Sequence, residues 1–120
     1  MKGIDISSYQ TNIDFQKVKN SGVEIVYIKA TEGLTYNNLL MKEQYSLAKA
    51  AGLKVGFYHF LRANNPAEEA QHFLNIVQGL SIDCKHAIDV EIPLGQTKTQ
   101  ISSNVRKFAD YLISNGKEVI

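Results

Sequence analysis

Ala51-Gly52-Leu53-Lys54-Val55-Gly56-Phe57-Tyr58-His59-Phe60 is the stretch that decides the fold. An amphipathic segment ends at Ala51, glycine follows, and a short apolar run begins. Glycine just past a helix end accepts a left-handed backbone that other residues resist. The β-branched and aromatic run then suits a buried strand. The same punctuation recurs at Ser21-Gly22-Val23-Glu24-Ile25-Val26-Tyr27, at Gln78-Gly79-Leu80 ahead of Ala87-Ile88, and at Asn115-Gly116-Lys117-Glu118-Val119-Ile120.

Working outward, helices fill the intervals. Asn65-Pro66-Ala67-Glu68 is a start signal: an Asn cap, Pro at the first helical position, and Glu three after the cap. Ala70, Phe73, Leu74 and Val77 then recur at helical spacing, and Ile101, Val105, Phe108, Ala109, Leu112 and Ile113 form the clearest amphipathic stripe. Leu40, Leu47, Ala48 and Ala51 form a third, and Phe15 and Val18 mark a short first helix. Such stripes are core faces and carry no chemistry here. The expected order is β-α-β-α-β-α-β-α-β, with strands near 3–7, 24–30, 54–60, 86–91 and 117–120. Strands alternating with helices imply parallel pairing and right-handed crossovers. An open doubly wound sheet and a β/α barrel both fit. No glycine-rich phosphate loop follows any strand, which counts against a nucleotide-binding sheet. A closed barrel of the usual kind needs upwards of roughly 200 residues, so the barrel reading is of a truncated one.

Composition sets outer bounds. The chain has 120 residues, is 44% hydrophobic and 21% charged, and carries a formal net charge of +1. That is an ordinary globular balance, with no overall pull toward nucleic acid or an anionic membrane. Cys84 is the single cysteine, so no internal disulfide framework exists; it reads as a small apolar residue near a strand start. No signal peptide is visible at Met1-Lys2-Gly3-Ile4-Asp5, and no run approaches the ~18 apolar residues of a membrane span. If the chain acts outside the cell, something other than a standard signal is expected to let it out.

In parallel β/α folds the active site lies at the C-terminal ends of the strands. Those ends deliver Asp5 with Ser7, Ser8 and Tyr9; Thr31 and Glu32; Tyr58 and His59; and Asp89 and Glu91. A polar residue at a strand end is often only a cap or loop residue. Acids at three strand ends of four are harder to read that way, since surface acids scatter onto helices, as Glu43, Glu68, Glu69 and Asp110 are expected to do. Asp89-Val90-Glu91 is the most informative triplet. Side chains two apart on a strand share a face, with Cα atoms roughly 6.6 Å apart. Two nearby carboxylates repel, so one is pushed toward its protonated form. One can then act as a general acid while its neighbour stays charged, as glycoside hydrolysis requires. Tyr9, Tyr36 and Tyr58 lie near this rim, where an aromatic face can stack on a sugar; for Tyr36 a loop anchor is the better reading. His59 is a base, a metal ligand or a hydrogen-bonded wall residue, and His72 and His86 lie away from the rim. A divalent metal held by Asp5, Glu32, His59 and Asp89 is a chemical alternative, as is a non-catalytic glycan-binding fragment.

At these same segments the chain resembles glycoside hydrolase family 25, the lysozymes of bacterial autolysins and phage endolysins. The matching stretches are Gly3-Ile4-Asp5-Ile6-Ser7, Tyr27-Ile28-Lys29-Ala30-Thr31-Glu32-Gly33, Gly56-Phe57-Tyr58-His59-Phe60 and Ile88-Asp89-Val90-Glu91. The resemblance implies an α/β fold: an irregular parallel β/α barrel, truncated after about five strands and four helices, with residues 1–120 forming one incomplete catalytic domain. It implies hydrolysis of the β-1,4 bond between N-acetylmuramic acid and N-acetylglucosamine in bacterial peptidoglycan, with retention. Glu91 is the implied general acid, Asp89 its partner, and Asp5 a further active-site carboxylate. Glu32, Tyr58, His59 and Tyr9 are the expected substrate-binding residues. No metal or organic cofactor is implied. The resemblance also implies action at the bacterial cell wall without membrane insertion, with cytoplasmic synthesis and holin-type or lytic release as the expectation. The family continues into further strands that bear another acid, so this chain is expected to be weak or inactive alone and to self-associate through an open barrel edge.

Overall fold

The computed structural model describes residues 2–90, 96–117 and 119. Its elements are β1 (Gly3–Ile6), α1 (Phe15–Asn20), β2 (Ile25–Glu32), β3 (Tyr36–Asn37), α2 (Met41–Ala50), β4 (Lys54–Phe60), α3 (Pro66–Val77), β5 (Ala87–Asp89) and α4 (Lys98–Ser114). The parallel strands run side by side in the order β1-β2-β4-β5. Val119 adds a parallel bridge to His86 at the far side of β5. The four glycines of the recurring punctuation all take positive φ, between 79° and 98°, which is why the chain turns from helix to strand at those points.

Helix starts follow the local chemistry. The Asn65 side chain accepts from the amides of Ala67 and Glu68, with Pro66 at the first turn. Thr97 and Gln100 form a reciprocal capping box on α4. All four helices contribute to one apolar cluster: Phe15 from α1, Met41 and Ala48 from α2, Phe73 and Val77 from α3, and Phe108 and Leu112 from α4. They pack on Val26, Ile28, Val55 and Phe57, none of which is exposed to solvent. The helices therefore cover one face of a parallel sheet and leave the other concave, as in a half-barrel.

Three expectations need correction. First, β3 was not foreseen. It is a two-residue antiparallel strand, Thr31↔Asn37 and Glu32↔Tyr36, too short to show a period. Second, β2 runs on to Glu32, with a register shift against β4 between Lys29 and Thr31. Third, β5 covers only residues 87–89 within the expected 86–91. Glu91 lies outside the described residues. So do Glu118 and Ile120 of the expected last strand.

Candidate active site

The register of β1, β2 and β4 builds the concave face layer by layer. Asp5 pairs with Tyr27, and Tyr27 with Gly56; Lys29 pairs with Tyr58, and Tyr58 with Ala87; Glu32 pairs with Phe60, and Phe60 with Asp89. Strict alternation from Tyr27 and Lys29 would point Thr31, not Glu32, into this face. The extra residue at Ala30 is a β-bulge that reverses the two. Glu32 comes to lie 2.6 Å from Lys29 Nζ, while Thr31 turns to the buried side and meets His59.

Asp5, Tyr27, Tyr58, Ala87, Ile88 and Asp89 surround a cavity of about 350 Å³. It sits at the C-terminal ends of the strands, where a parallel β/α sheet places its ligands. Its floor is Tyr27. The ring lies across Gly56, where a Cβ would come within 2.5 Å of Tyr27 Cε1, and the phenol donates to the Lys85 carbonyl at 2.9 Å. Burial, with a smaller contribution from Cys84, pushes the Tyr27 phenol above its ordinary range, so it stays a donor. Tyr58 reaches over the face and donates to the Ile6 carbonyl at 3.4 Å.

Glu32 forms the second part of the rim. Its carboxylate accepts from Lys29 on one oxygen and from Arg62 Nη1 at 2.7 Å on the other. Lys29 Nζ also lies 5.1 Å from the Tyr36 ring centroid and 5.0 Å from that of Phe60. Burial alone would raise the Glu32 carboxyl, but the bonds and charges of Lys29 and Arg62 together outweigh it and hold it below the usual range. Glu32 is thus a fixed anion, unsuited to donating a proton near neutral pH.

Asp5, Tyr58 and Asp89 are brought together around the cavity, and Glu32 lies in the same layer of the register as Phe60 and Asp89. His59 is not: it leaves the opposite side of β4, is fully buried, and stacks on Phe108 at a centroid distance of 4.8 Å. Parallel alternation along Phe57-Tyr58-His59 places His59 with Phe57 against the helices, so it neither touches a groove ligand nor joins Asp5, Glu32 and Asp89 around a metal. Tyr9 stands 89% exposed on the loop after β1, outside the lining of the cavity. Tyr36 anchors that loop, 2.6 Å from Ser8 Oγ. Glu69, expected on a helix surface, is completely buried. Among the described residues no group of three or more His, Cys, Asp or Glu is placed to hold a metal ion, and no helix is long and apolar enough to cross a membrane.

Several residues here escaped the sequence reading. Tyr27 shares a face with Lys29 on a strand that otherwise looks wholly buried, and Lys29 itself, a charge inside an apolar run, was the available signal. Arg62 carries none, since only the loop geometry takes it to Glu32.

The parallel strands, covered by helices on one face, form an α/β half-barrel with acids toward its strand ends. Residues 4–120 match Glycosyl hydrolases family 25, and the chain belongs to that family. It is 66% identical to the "Autolytic lysozyme" of Clostridium acetobutylicum over 99% of this chain and 37% of that protein. It is 36% identical to the "N,O-diacetylmuramidase" of Arthroderma benhamiae over 82% of this chain and 43% of that one. Among solved structures, a family GH25 lysozyme from Aspergillus fumigatus superposes with a TM-score of 0.83 at 32% identity, covering 91% of this chain and 57% of that one. A family 25 glycosyl hydrolase from Bacillus anthracis superposes with a TM-score of 0.88 at 25% identity, covering 99% and 58%. The chain thus spans well under two thirds of the length of these relatives.

Proposed function

We propose that this chain carries the acid-bearing part of a muramidase active site. It acts on the β-1,4 bond between N-acetylmuramic acid and N-acetylglucosamine in bacterial peptidoglycan, with retention. The observation that carries this reading is the convergence of Asp5, Tyr58 and Asp89 on one cavity at the strand ends. The names of its relatives, an autolytic lysozyme and an N,O-diacetylmuramidase, agree with it.

In this reading Glu91 donates a proton to the glycosidic oxygen as the bond to the anomeric carbon breaks. Asp89 orients the N-acetyl group of the substrate or stabilises the positive charge that develops on the ring. Asp5 supplies a further negative charge to the cavity. Glu32, fixed as an anion by Lys29 and Arg62, accepts hydrogen bonds from the sugar, and Tyr58 flanks the ring. Glu32, held ionised by Lys29 and Arg62, is unsuited to the donor role, which is in keeping with assigning that role to Glu91.

Clearing of a bacterial cell-wall suspension is the direct test, with this chain compared to Glu91→Gln. Clearing that Glu91→Gln abolishes is the expected result, and equal clearing by both overturns the assignment of Glu91. Where the chain clears nothing, NMR with soluble peptidoglycan fragments reads the site itself. Shifts centred on Asp5, Tyr58 and Asp89 are expected. Binding that leaves all three unmoved overturns the site. Binding without cleavage, unaffected by Glu91→Gln, favours a glycan-binding module.

A further inference from the structure

Glu32 faces the groove, yet much of what holds it lies on the other side of the sheet. The centre of that arrangement is Glu69, in the first turns of α3 and wholly inaccessible to solvent. One carboxyl oxygen accepts from His59 Nε2 at 2.7 Å and from the Arg62 amide at 3.1 Å. The other accepts from the Asn64 amide at 3.2 Å. Two backbone amides can only donate, so each Glu69 oxygen accepts a hydrogen bond. With Glu69 Oε1 as the acceptor, His59 carries its proton on Nε2. Its Nδ1 accepts from Thr31 Oγ1 at 2.6 Å. Burial lowers the His59 imidazole below its ordinary range despite the neighbouring Glu69, which keeps it in this neutral form.

The two ends of the network arrive at the same place. Thr31 is the residue before Glu32, at the bulge that turns Glu32 into the groove. Arg62 is the residue whose guanidinium holds Glu32 Oε2. We propose that Glu69 is a positioning residue for the groove: through His59 and Thr31 on one side and the Arg62 and Asn64 amides on the other, it fixes the Arg62–Glu32 pair that presents Glu32 to substrate. The proposal rests on Glu32 being a groove residue, as argued above.

The energetics favour this over a purely structural role. A buried carboxylate is costly to desolvate, and an apolar residue of similar volume often serves stability as well. Arg62 is more than one third exposed, and such a side chain holds an ion pair only weakly unless its backbone is fixed. Glu69 supplies that fixing.

The test follows the titration of the Glu32 carboxyl carbon by NMR in the whole 120-residue chain. The groups facing Glu32 are Lys29 on its own strand, Arg62 from the β4–α3 loop, Tyr36 across on β3, and Asp89 beyond Phe60. Arg62→Gln should move the Glu32 midpoint upward, because an attracting cation is lost. Glu69→Gln should move it upward too, and the double variant no further. The sign is decisive. Removing the negative charge of Glu69 by electrostatics alone favours ionisation of Glu32 and moves its midpoint downward. An unchanged or lowered midpoint in folded Glu69→Gln overturns the proposal. Glu69→Asp, which keeps the charge but falls short of its three donors, should also raise the midpoint. Should neither variant fold, the unsubstituted chain still answers: slow exchange of the Arg62 and Asn64 amides is expected, and exchange at the rate of unbonded loop amides overturns the proposal. None of these readouts requires catalysis, so an inactive chain does not obscure the result.

Discussion

Along β4, Val55, Phe57 and His59 point to the helices and are fully buried, while on the other face Tyr58 borders a cavity and Gly56 lies beneath the Tyr27 ring that lines it. On the helix side His59 is bonded at both nitrogens and stacked on Phe108. The groove side carries charge that is only partly shielded, with Glu32 between two cations and Arg62 open to water. Neighbouring residues of one strand thus serve different ends. The closed face secures the fold, and the open face holds polar groups in place for a ligand.

Truncation on each face should expose that division, and here the expected effect is largest. Phe57→Ala removes a completely buried ring packed on Tyr45 at a centroid distance of 5.7 Å. It should cost about 3–5 kcal/mol in urea unfolding. Tyr58→Phe, one residue away, loses a hydrogen bond to the Ile6 carbonyl and should cost about 1 kcal/mol. Comparable losses at the two positions would break the comparison.

A pH-dependent effect on the closed face comes next. His86 is 2% exposed, edge-on to Phe73 at 4.9 Å, and its Nδ1 has no hydrogen-bond partner among the described residues. Burial chiefly, and the Lys117 charge in addition, push its imidazole down to about 4, against a hydrogen bond to the Phe57 backbone. In the unfolded chain the same group titrates near 6.5. The folded state therefore binds fewer protons between those values, and stability falls with falling pH across that window. The whole loss is on the order of 3 kcal/mol. The contribution is fully present above about pH 6.5 and gone below about pH 4. Unfolding measured from pH 7 to 4 should show a shallower decline in His86→Leu than in the unsubstituted chain, and parallel declines would remove His86 as the cause.

The sequence made the closed face easier to read than the open one, and the reason is physical. Burial against helices demands apolar residues at fixed periods, so Val55, Phe57, Phe73, Phe108 and Leu112 announce themselves. The left-handed turns after each helix demand glycine, and all four were visible. The groove depends on register and on one bulge. Nothing in Ile28-Lys29-Ala30-Thr31-Glu32 says that Ala30 will be skipped in pairing, and without the skip Glu32 would face the wrong way. His59 was misleading for a related reason: a polar residue near a strand end looks the same whether its partner is a ligand in the groove or a buried Glu69 on the helix packed behind the sheet. The placement of Asp5, Tyr58 and Asp89 around one cavity, by contrast, does not depend on the bulge.

Gly56 lies beneath the ring that floors the groove, and substitution there should cost less than the losses at Phe57 and His86. Its backbone does not need a positive φ, so alanine is acceptable to the main chain. The difficulty is space: the new Cβ would lie 2.5 Å from Tyr27 Cε1 and 3.0 Å from Cδ1. The ring can escape only toward the cavity, which strains or breaks its bond to the Lys85 carbonyl. Overpacking of this kind typically costs about 1–3 kcal/mol, and the partly open groove should keep Gly56→Ala near the lower end. Tyr27→Leu should relieve the clash, so the double variant should be less destabilised than the sum of the two single changes. Binding of soluble peptidoglycan fragments should weaken in Gly56→Ala, because the displaced ring now occupies the cavity. Additive stabilities with unchanged binding would mean that Tyr27 is not the floor of the site, and that the groove side of β4 is as tolerant of packing changes as an ordinary surface.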